Sequence, residues 1–450
     1  MAQFAQGPRR AFVRRRINEL SSLTARIPSE ILVEIFQIAC QPVENDYRAE
    51  KEVTPFFIGS ICSQWRDVAW STPFLWNTIL LHVSRKYHGQ VQLLGDRLLN
   101  ARSAPLNIKL ISEDEHEHII CAFEAIMRIL VTRSDYWLTF DADLLPPCLD
   151  MLQNIDFPML TSVSLQRTTL TPHYIPGKFF TASKLLNVNL SRYFPLVLPL
   201  EQVRRFRTQF LTVAECLKIL QQSPNLQECH FEQLYALFDS IPKTIMHHAQ
   251  LKHLHVMSNN PERIMSLFDS ITLPSLSNLH IRSSSSFEKL LLPSMTSLVL
   301  RSACNLERFT FGPPLFDCAD LIPCLEAIPS LTHLHLKTLA TPGVGLTWDF
   351  VASLDPLSNP SRLLLPNLKY FEYNGPVLCD CRTIVDMMTH RWHLSDDDGT
   401  SRSIFTGVSK LMLAEVLFTL PYHVTADVQE ELRNLSEEGM LVRIESLDKN

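Results

Sequence analysis

Leu251-Lys252-His253-Leu254-His255-Val256 is followed, 25 residues on, by Leu276-Ser277-Asn278-Leu279-His280-Ile281. Both follow L-x-x-L-x-L, with other apolar residues admitted at the marked positions. The same unit occurs as Leu160/Val163/Leu165, Leu185/Val188/Leu190, Leu226/Cys229/Phe231, Leu306/Phe309/Phe311 and Leu331/Leu334/Leu336. Weaker copies start at Val203, Met295, Leu368 and Val408. The step of 25 also separates Leu160 from Leu185, Leu226 from Leu251 and Leu306 from Leu331. Alternation inside each copy is the period of a half-buried strand. A fixed step between copies argues for one repeating array over two separate α/β domains.

The segments between the copies fit helices. Thr212-x-x-Glu215 has the form of a capping box ahead of Cys216, Leu217, Ile219 and Leu220. Asn260-Pro261 supplies an N-cap and a first-turn Pro ahead of Ile264, Met265, Leu267 and Phe268. Pro also precedes many copies, as at Pro158, Pro224, Pro274, Pro293, Pro329 and Pro366. Strand then helix, repeated, predicts a curved solenoid with a parallel sheet on its concave face. The period lies within the 20–29 residues of leucine-rich repeats, and the region resembles that family. It departs from the family at the Asn or Cys expected three residues after the last strand position, where Thr168, Tyr193 and Ser284 stand. The expected array is therefore irregular and leucine-rich-repeat-like, over residues 83–447.

Upstream lies a region of another kind. Ile27-Pro28-Ser29-Glu30-Ile31-Leu32-Val33-Glu34-Ile35-Phe36 puts Ile31, Leu32, Ile35, Phe36 and Ala39 on one apolar helical face, with Pro28 at the helix start. A polar spacer from Gln41 to Thr54 carries Glu44, Asp46, Glu50 and Glu52. Beyond Pro55, one helix is expected to carry Phe57, Ile61, Trp65 and Val68. Pro73 would end it, and Phe74-Leu75-Trp76 would pack back on the first two segments. This pattern resembles the F-box, with Ile27-Pro28-Ser29-Glu30-Ile31-Leu32 in place of the family's opening Leu-Pro-x-Glu-Ile-Leu. Ile61-Cys62-Ser63-Gln64-Trp65-Arg66 stands in place of its Val-Cys-x-x-Trp-Arg. The spacer is longer than in compact F-boxes and is similar to those of fungal F-box-like proteins. The expected organisation is a basic arm over 1–24, a three-helix F-box-like domain over 25–82, and the α/β solenoid.

Apolar residues are 46% of the 450-residue chain and charged residues 20%, enough to bury a large core. A formal charge of −6 makes no case for nucleic acid, and no apolar run approaches membrane-spanning length. Eleven scattered cysteines and the lack of an apolar signal core in 1–24 suggest reduced thiols in the cytoplasm or nucleus. Arg9, Arg10, Arg14, Arg15 and Arg16 read as a solvated basic arm, with a nuclear-import cluster or a mitochondrial presequence as alternatives.

No constellation of catalytic residues is found. Gly-x-Ser-x-Gly, a phosphate loop, His-Glu-x-x-His and paired Cys-x-x-Cys are all missing. Twelve glycines against 28 prolines also argue against a glycine-loop nucleotide enzyme. Cys379-Asp380-Cys381 reads as two structural or surface thiols, and Met387 and Met388 as core. His116-Glu117-His118 and Asp396-Asp397-Asp398 read as solvated segments, because neither has metal-ligand spacing. Residues 341–361, with several Pro and Gly, read as an insertion. No cofactor and no metal are expected.

The histidines are more informative. In L-x-x-L-x-L the residue between the last two apolar positions faces away from the core. In three successive copies it is His230, His255 and His280, with His253 flanking them and His333 and His335 further along. Strands about 4.8 Å apart would let these imidazoles form a column. The column reads either as chance alignment or as a recognition stripe that gains charge below about pH 6.5.

The F-box resemblance implies a substrate-recognition subunit of a cullin–RING ubiquitin ligase. Pro28, Ile31, Leu32 and Ile35 would meet the ligase adaptor, and through it a cullin. Phe36, Trp65 and Trp76 would hold the helices together, and the solenoid would bind an unidentified protein substrate. Neither nucleic acid nor membrane is an expected partner. The alternative is a non-catalytic scaffold whose F-box-like helices bind something else.

Overall fold

The computed structural model describes residues 27–41, 53–84, 87–112, 119–143, 146–166, 181–192, 198–235, 244–283, 291–313, 316, 318–339, 343–393, 408–418 and 424–446. The basic arm, the core of the spacer, His116–His118, the triple Asp, and Thr168, Tyr193 and Ser284 lie outside them. Thirteen α-helices occur among the described residues, and fourteen strands run in parallel ladders with no closed barrel. The chain divides into two compact units, 1–185 with 195–199, and 186–194 with 200–450.

The first unit opens with helices Ser29–Ala39, Pro55–Ile61 and Ser63–Ser71 and a 3-10 turn Pro73–Leu75. The continuous second helix expected from Phe57 to Val68 is interrupted. Cys62 is extended, with φ of −154°, and its thiol accepts the Trp65 N–H at 3.4 Å, capping a new helix. The break rotates Phe57 and Ile61 into solvent, and Ile58 fills the core instead. Trp76 is fully buried, donates from Nε1 to the Ala69 carbonyl at 2.8 Å, and meets Trp70 and Phe56 edge-on. Gly59 is required here, because a Cβ would lie 2.1 Å from the Trp70 ring.

Four strands follow, β1 (Thr78–Val83), β2 (Leu106–Ser112), β3 (Trp137–Asp143) and β4 (Ser162–Gln166), paired in that order. Helices Tyr87–Ala101 and Ile120–Val131 connect the first three, where strand–helix alternation places them. The expected boundary at residue 82 cuts through β1, which already belongs to the ladder.

The second unit carries ten parallel strands in the order β5 (Asn187–Leu190), β6 (Arg205–Gln209), β7 (Glu228–Glu232), β9 (His253–Ser258), β11 (Asn278–Ser283), β12 (Arg308–Gly312), β13 (His333–Lys337), β14 (Tyr370–Gly375), β15 (Leu413–Phe418) and β16 (Leu441–Ser446). The remaining two, β8 (Met246–His247) and β10 (Ile271–Thr272), form a separate parallel pair. The repeat is visible in the hydrogen bonds. At most entries, two successive N–H groups share one carbonyl of the preceding repeat. Lys252 and His253 donate to Gln227, Ser277 and Asn278 to Lys252, and Glu307 and Arg308 to Ser277, all at 2.9 Å. Beneath the strands the leucines close the core, with Leu226, Leu251, Leu276, Leu306 and Leu331 all at 0% exposure.

Two weak copies fall out of register. Met295 lies in helix Leu291–Ser302, whose Pro293 serves the first turn, and Leu300, which a strand reading buries, is exposed. The copy assigned to Val408 starts at Leu411, followed by Ala414 and Val416, all buried.

The capping box of Thr212 and Glu215 forms around helix Val213–Gln222, and Asn260 caps helix Pro261–Asp269. The Pro- and Gly-rich insertion contains helix Trp348–Leu354. Arg391, fully buried in helix Cys381–His393, holds the segment after that helix. It donates from Nε to the Leu354 carbonyl at 2.6 Å, and from Nη2 to those of Leu364 and Leu365 at 2.8 and 3.1 Å. Burial lowers its pKa to about 10, so it stays cationic at neutral pH.

Candidate functional site

Two surfaces stand out, one in each unit. The first is helix Ser29–Ala39. Its inner face contributes Leu32 and Phe36, both essentially buried, and Phe36 meets the half-buried Trp65 at 5.0 Å. Its outer face is also apolar: Ile31 is 46% exposed, Ile35 44% and Ile38 71%, with Pro28 exposed at the helix start. Of the four residues expected to meet a partner, Pro28, Ile31 and Ile35 are available. Leu32 is a correction, since its 0% exposure makes it a core residue. One helical stripe was read where two faces exist, and Ile38 on the outer face was missed.

The second surface is the open face of the ladder β5–β16, where outward residues alternate with buried ones. Pairing sets His230 opposite His255 and His255 opposite His280. The first pair of rings is stacked, 5.0 Å apart with 8° between planes, and the second pair is 4.1 Å apart with 35°. His253 lies exposed on the neighbouring row, between Glu228 and Asn278. Further along, His333 stacks on Tyr370 at 4.1 Å, and His335 meets Glu372 at 3.3 Å.

The column does not take the charge expected of it. Burial, with His230, Arg282 and Arg207 nearby, lowers the His255 pKa to about 4. Burial, with His255, Arg282, His335 and His230, lowers that of His280 to about 3. The His255 and His280 rings are half-buried, and adjacent imidazoles and guanidiniums oppose a further positive charge on them. The centre of the stripe is therefore neutral and aromatic at mildly acidic pH.

Cations and carboxylates are sorted along the face. On its β6–β7 side, Arg205 meets Glu228 at 3.2 Å and Arg207 meets Glu232 at 2.8 Å, while Glu228 also accepts from His230 Nε2 at 2.9 Å. On its β15–β16 side, Arg443 bridges Glu415 and Glu445 at 3.0 and 2.8 Å. Between these, Arg282, Arg308 and Lys337 are exposed and form no ion pair among the described residues. This middle cationic sector was not read from the sequence. Its members are scattered over 55 positions, and only strand pairing gathers them.

Cys379 and Cys381 are both buried, and burial raises their thiol pKa values to about 12 and 11, so neither is poised as a nucleophile. Met387 and Met388 are core. A buried histidine outside the expected set, His248, accepts the Leu251 N–H at Nδ1 and so donates from Nε2 to the Ser223 carbonyl at 2.9 Å. Its role is to close a turn. Among the described residues no group of three or more His, Cys, Asp and Glu could hold a metal. No helix among them is long and apolar enough to cross a membrane. The chain matches no protein-family model and no curated protein.

Proposed function

We propose that the chain is a substrate-recognition subunit of an F-box-type cullin–RING ubiquitin ligase. In this reading the helical start is an F-box-like domain that docks on the ligase adaptor. The repeats form a leucine-rich-repeat-like solenoid that holds a protein substrate. The chain itself contributes no reacting group, and its part in catalysis is proximity. Such a complex works in the cytoplasm or nucleus.

The observation that carries the reading is the doubly apolar helix Ser29–Ala39. Leu32 and Phe36 complete the core, while Ile31, Ile35 and Ile38 present aliphatic surface to water. Each is a side chain whose burial contributes about 1.5–3 kcal/mol. A row of three on one helix is the form of a docking stripe.

The test is co-purification with adaptor and cullin from cells in which the proteasome and neddylation are inhibited. Ile31→Asp with Ile35→Asp should abolish capture of both proteins and leave the melting temperature unchanged, since neither side chain supports the core. Undiminished capture by the double variant, or no adaptor with the wild-type chain, overturns the reading. Capture of a different partner through the same two isoleucines would establish the scaffold alternative.

A further inference from the structure

The charge pattern of the open face points to a specific kind of partner. Across β9, β11, β12 and β13, the outward strand positions are His253, His255 and Met257, then Asn278, His280 and Arg282, then Arg308, Thr310 and Gly312, then His333, His335 and Lys337. No carboxylate occurs among these twelve. The strands on either side restore them, with Glu228 and Glu232 on β7 and Glu372 on β14. One further acid, Glu307, directly precedes β12 at the entry edge of the ladder. The result is a cationic window fenced by acids.

The window has internal geometry. Arg282, Gly312 and Lys337 occupy one row on β11, β12 and β13. With strands about 4.8 Å apart, the two cations flank a gap of roughly 10 Å. Gly312 puts no side chain of its own into that gap, and a Cβ there would sit in ordinary van der Waals contact with Arg282 Cγ at 3.7 Å. Arg308 lies on the row of Asn278 and His333, four residues along β12 from Gly312, or roughly 13 Å at strand rise. Three cations this far apart do not converge on one anion. They match separate negative groups two to four residues apart on an extended chain.

We propose that this window binds a short acidic segment of a partner protein, with Asp or Glu side chains on Arg282, Lys337 and Arg308 and its backbone over the His255–His280 stack. This deepens the reading of the repeats as a substrate-binding surface. Four strands span about 15 Å, the length of four or five extended residues. The fencing carboxylates and the chain's net charge of −6 oppose a longer polyanion, which argues against nucleic acid. Guanidinium groups grip carboxylates with two parallel N–H bonds, and neutral imidazoles supply N–H groups without repelling the peptide's N–H groups.

The experiment is selection of a random dodecapeptide phage library on the purified full chain, compared with Arg282→Glu/Lys337→Glu. The wild-type chain should enrich Asp and Glu at least threefold over the naive library, spaced two to four residues apart. The charge-reversed chain should lose that enrichment and select Lys and Arg. A labelled wild-type-selected peptide should bind at least tenfold more weakly to the reversed chain, and unchanged to Arg443→Glu on β16. All three chains should melt alike, because the altered residues are exposed. No acidic enrichment, or equal enrichment on the reversed chain, overturns the proposal. Tighter binding of a single-stranded RNA dodecamer that the same reversal abolishes also overturns it, in favour of nucleic acid. The assay contains no adaptor, so loss of this window and loss of ligase docking are distinguishable.

Discussion

Helix Ser29–Ala39 and strand β9 both mix apolar and polar residues, yet they face water in opposite ways. In β9, Leu254 and Val256 point inward and His253 and His255 outward, so alternation satisfies both sides. In the helix, Leu32 and Phe36 point inward and Ile31, Ile35 and Ile38 outward, so both sides are apolar. A strand needs only period two to divide its faces. The helix has more apolar residues than one face can bury, and the surplus is what a partner can use. In the proposed reading, apolar surface marks docking in the first unit, and charge marks it in the second.

The comparison breaks most readily through the core beneath each region. Leu32→Ala and Leu251→Ala should each cost about 2–5 kcal/mol in denaturant unfolding, as truncations of fully buried leucines do. A loss below 1 kcal/mol at Leu32 would return it to the docking face. Ile38→Ala, on the outer face of the same helix, should stay within about 0.5 kcal/mol.

Acid should reveal the histidine stack next. His255 and His280 have pKa values of about 4 and 3, below the ordinary 6.5. Between those values and 6.5 the unfolded chain binds protons that the folded chain does not. Stability contributed by the neutral rings is complete above pH 6.5 and falls as pH drops toward 4 and then 3. The loss from pH 7 to pH 4.5 should be smaller in His255→Asn/His280→Asn than in the wild type, by roughly 1–2 kcal/mol after solvent screening of the half-exposed rings. Equal losses would mean that the stack titrates normally.

A smaller effect is expected at Thr212. It accepts the Glu215 N–H while Glu215 accepts the Thr212 N–H at 2.8 Å. Thr212→Ala should cost about 1 kcal/mol in thermal unfolding. Asp substitution, which keeps an N-cap acceptor, should recover most of it.

Much of the ladder was legible because the same apolar triplet recurs, at a step of 25 residues between four pairs of copies. The caps at Thr212 and Asn260 were legible because capping is local chemistry. What escaped depends on competition between equally local patterns. Met295, Leu298 and Leu300 fit L-x-x-L-x-L, but Leu291, Met295, Leu298 and Val299 fit a helix as well, and packing decides for the helix. At β15 the true second position is Ala414, too small to signal a core site, so the pattern slid three residues to Val408. Cys62 ends a helix through its tertiary setting, with no Pro or Gly to announce it. The imidazole column was legible as a position. Its depressed pKa values were not, because they come first from burial, then from neighbouring imidazoles and Arg282, which only strand pairing brings together.

The carbonyl shared at most strand entries has a consequence for the gene. The repeats that begin at Leu226, Leu251 and Leu276 present identical edges to one another, 25 residues apart. In-frame loss of the 25 codons for 251–275 would bring Gln227 to Ser277 with the same two N–H groups meeting one oxygen, and would set His230 directly on His280. Unequal crossing-over between such segments exchanges whole strands without tearing the sheet. A lineage carrying this chain can therefore widen or narrow its open face by one strand in a single genetic event.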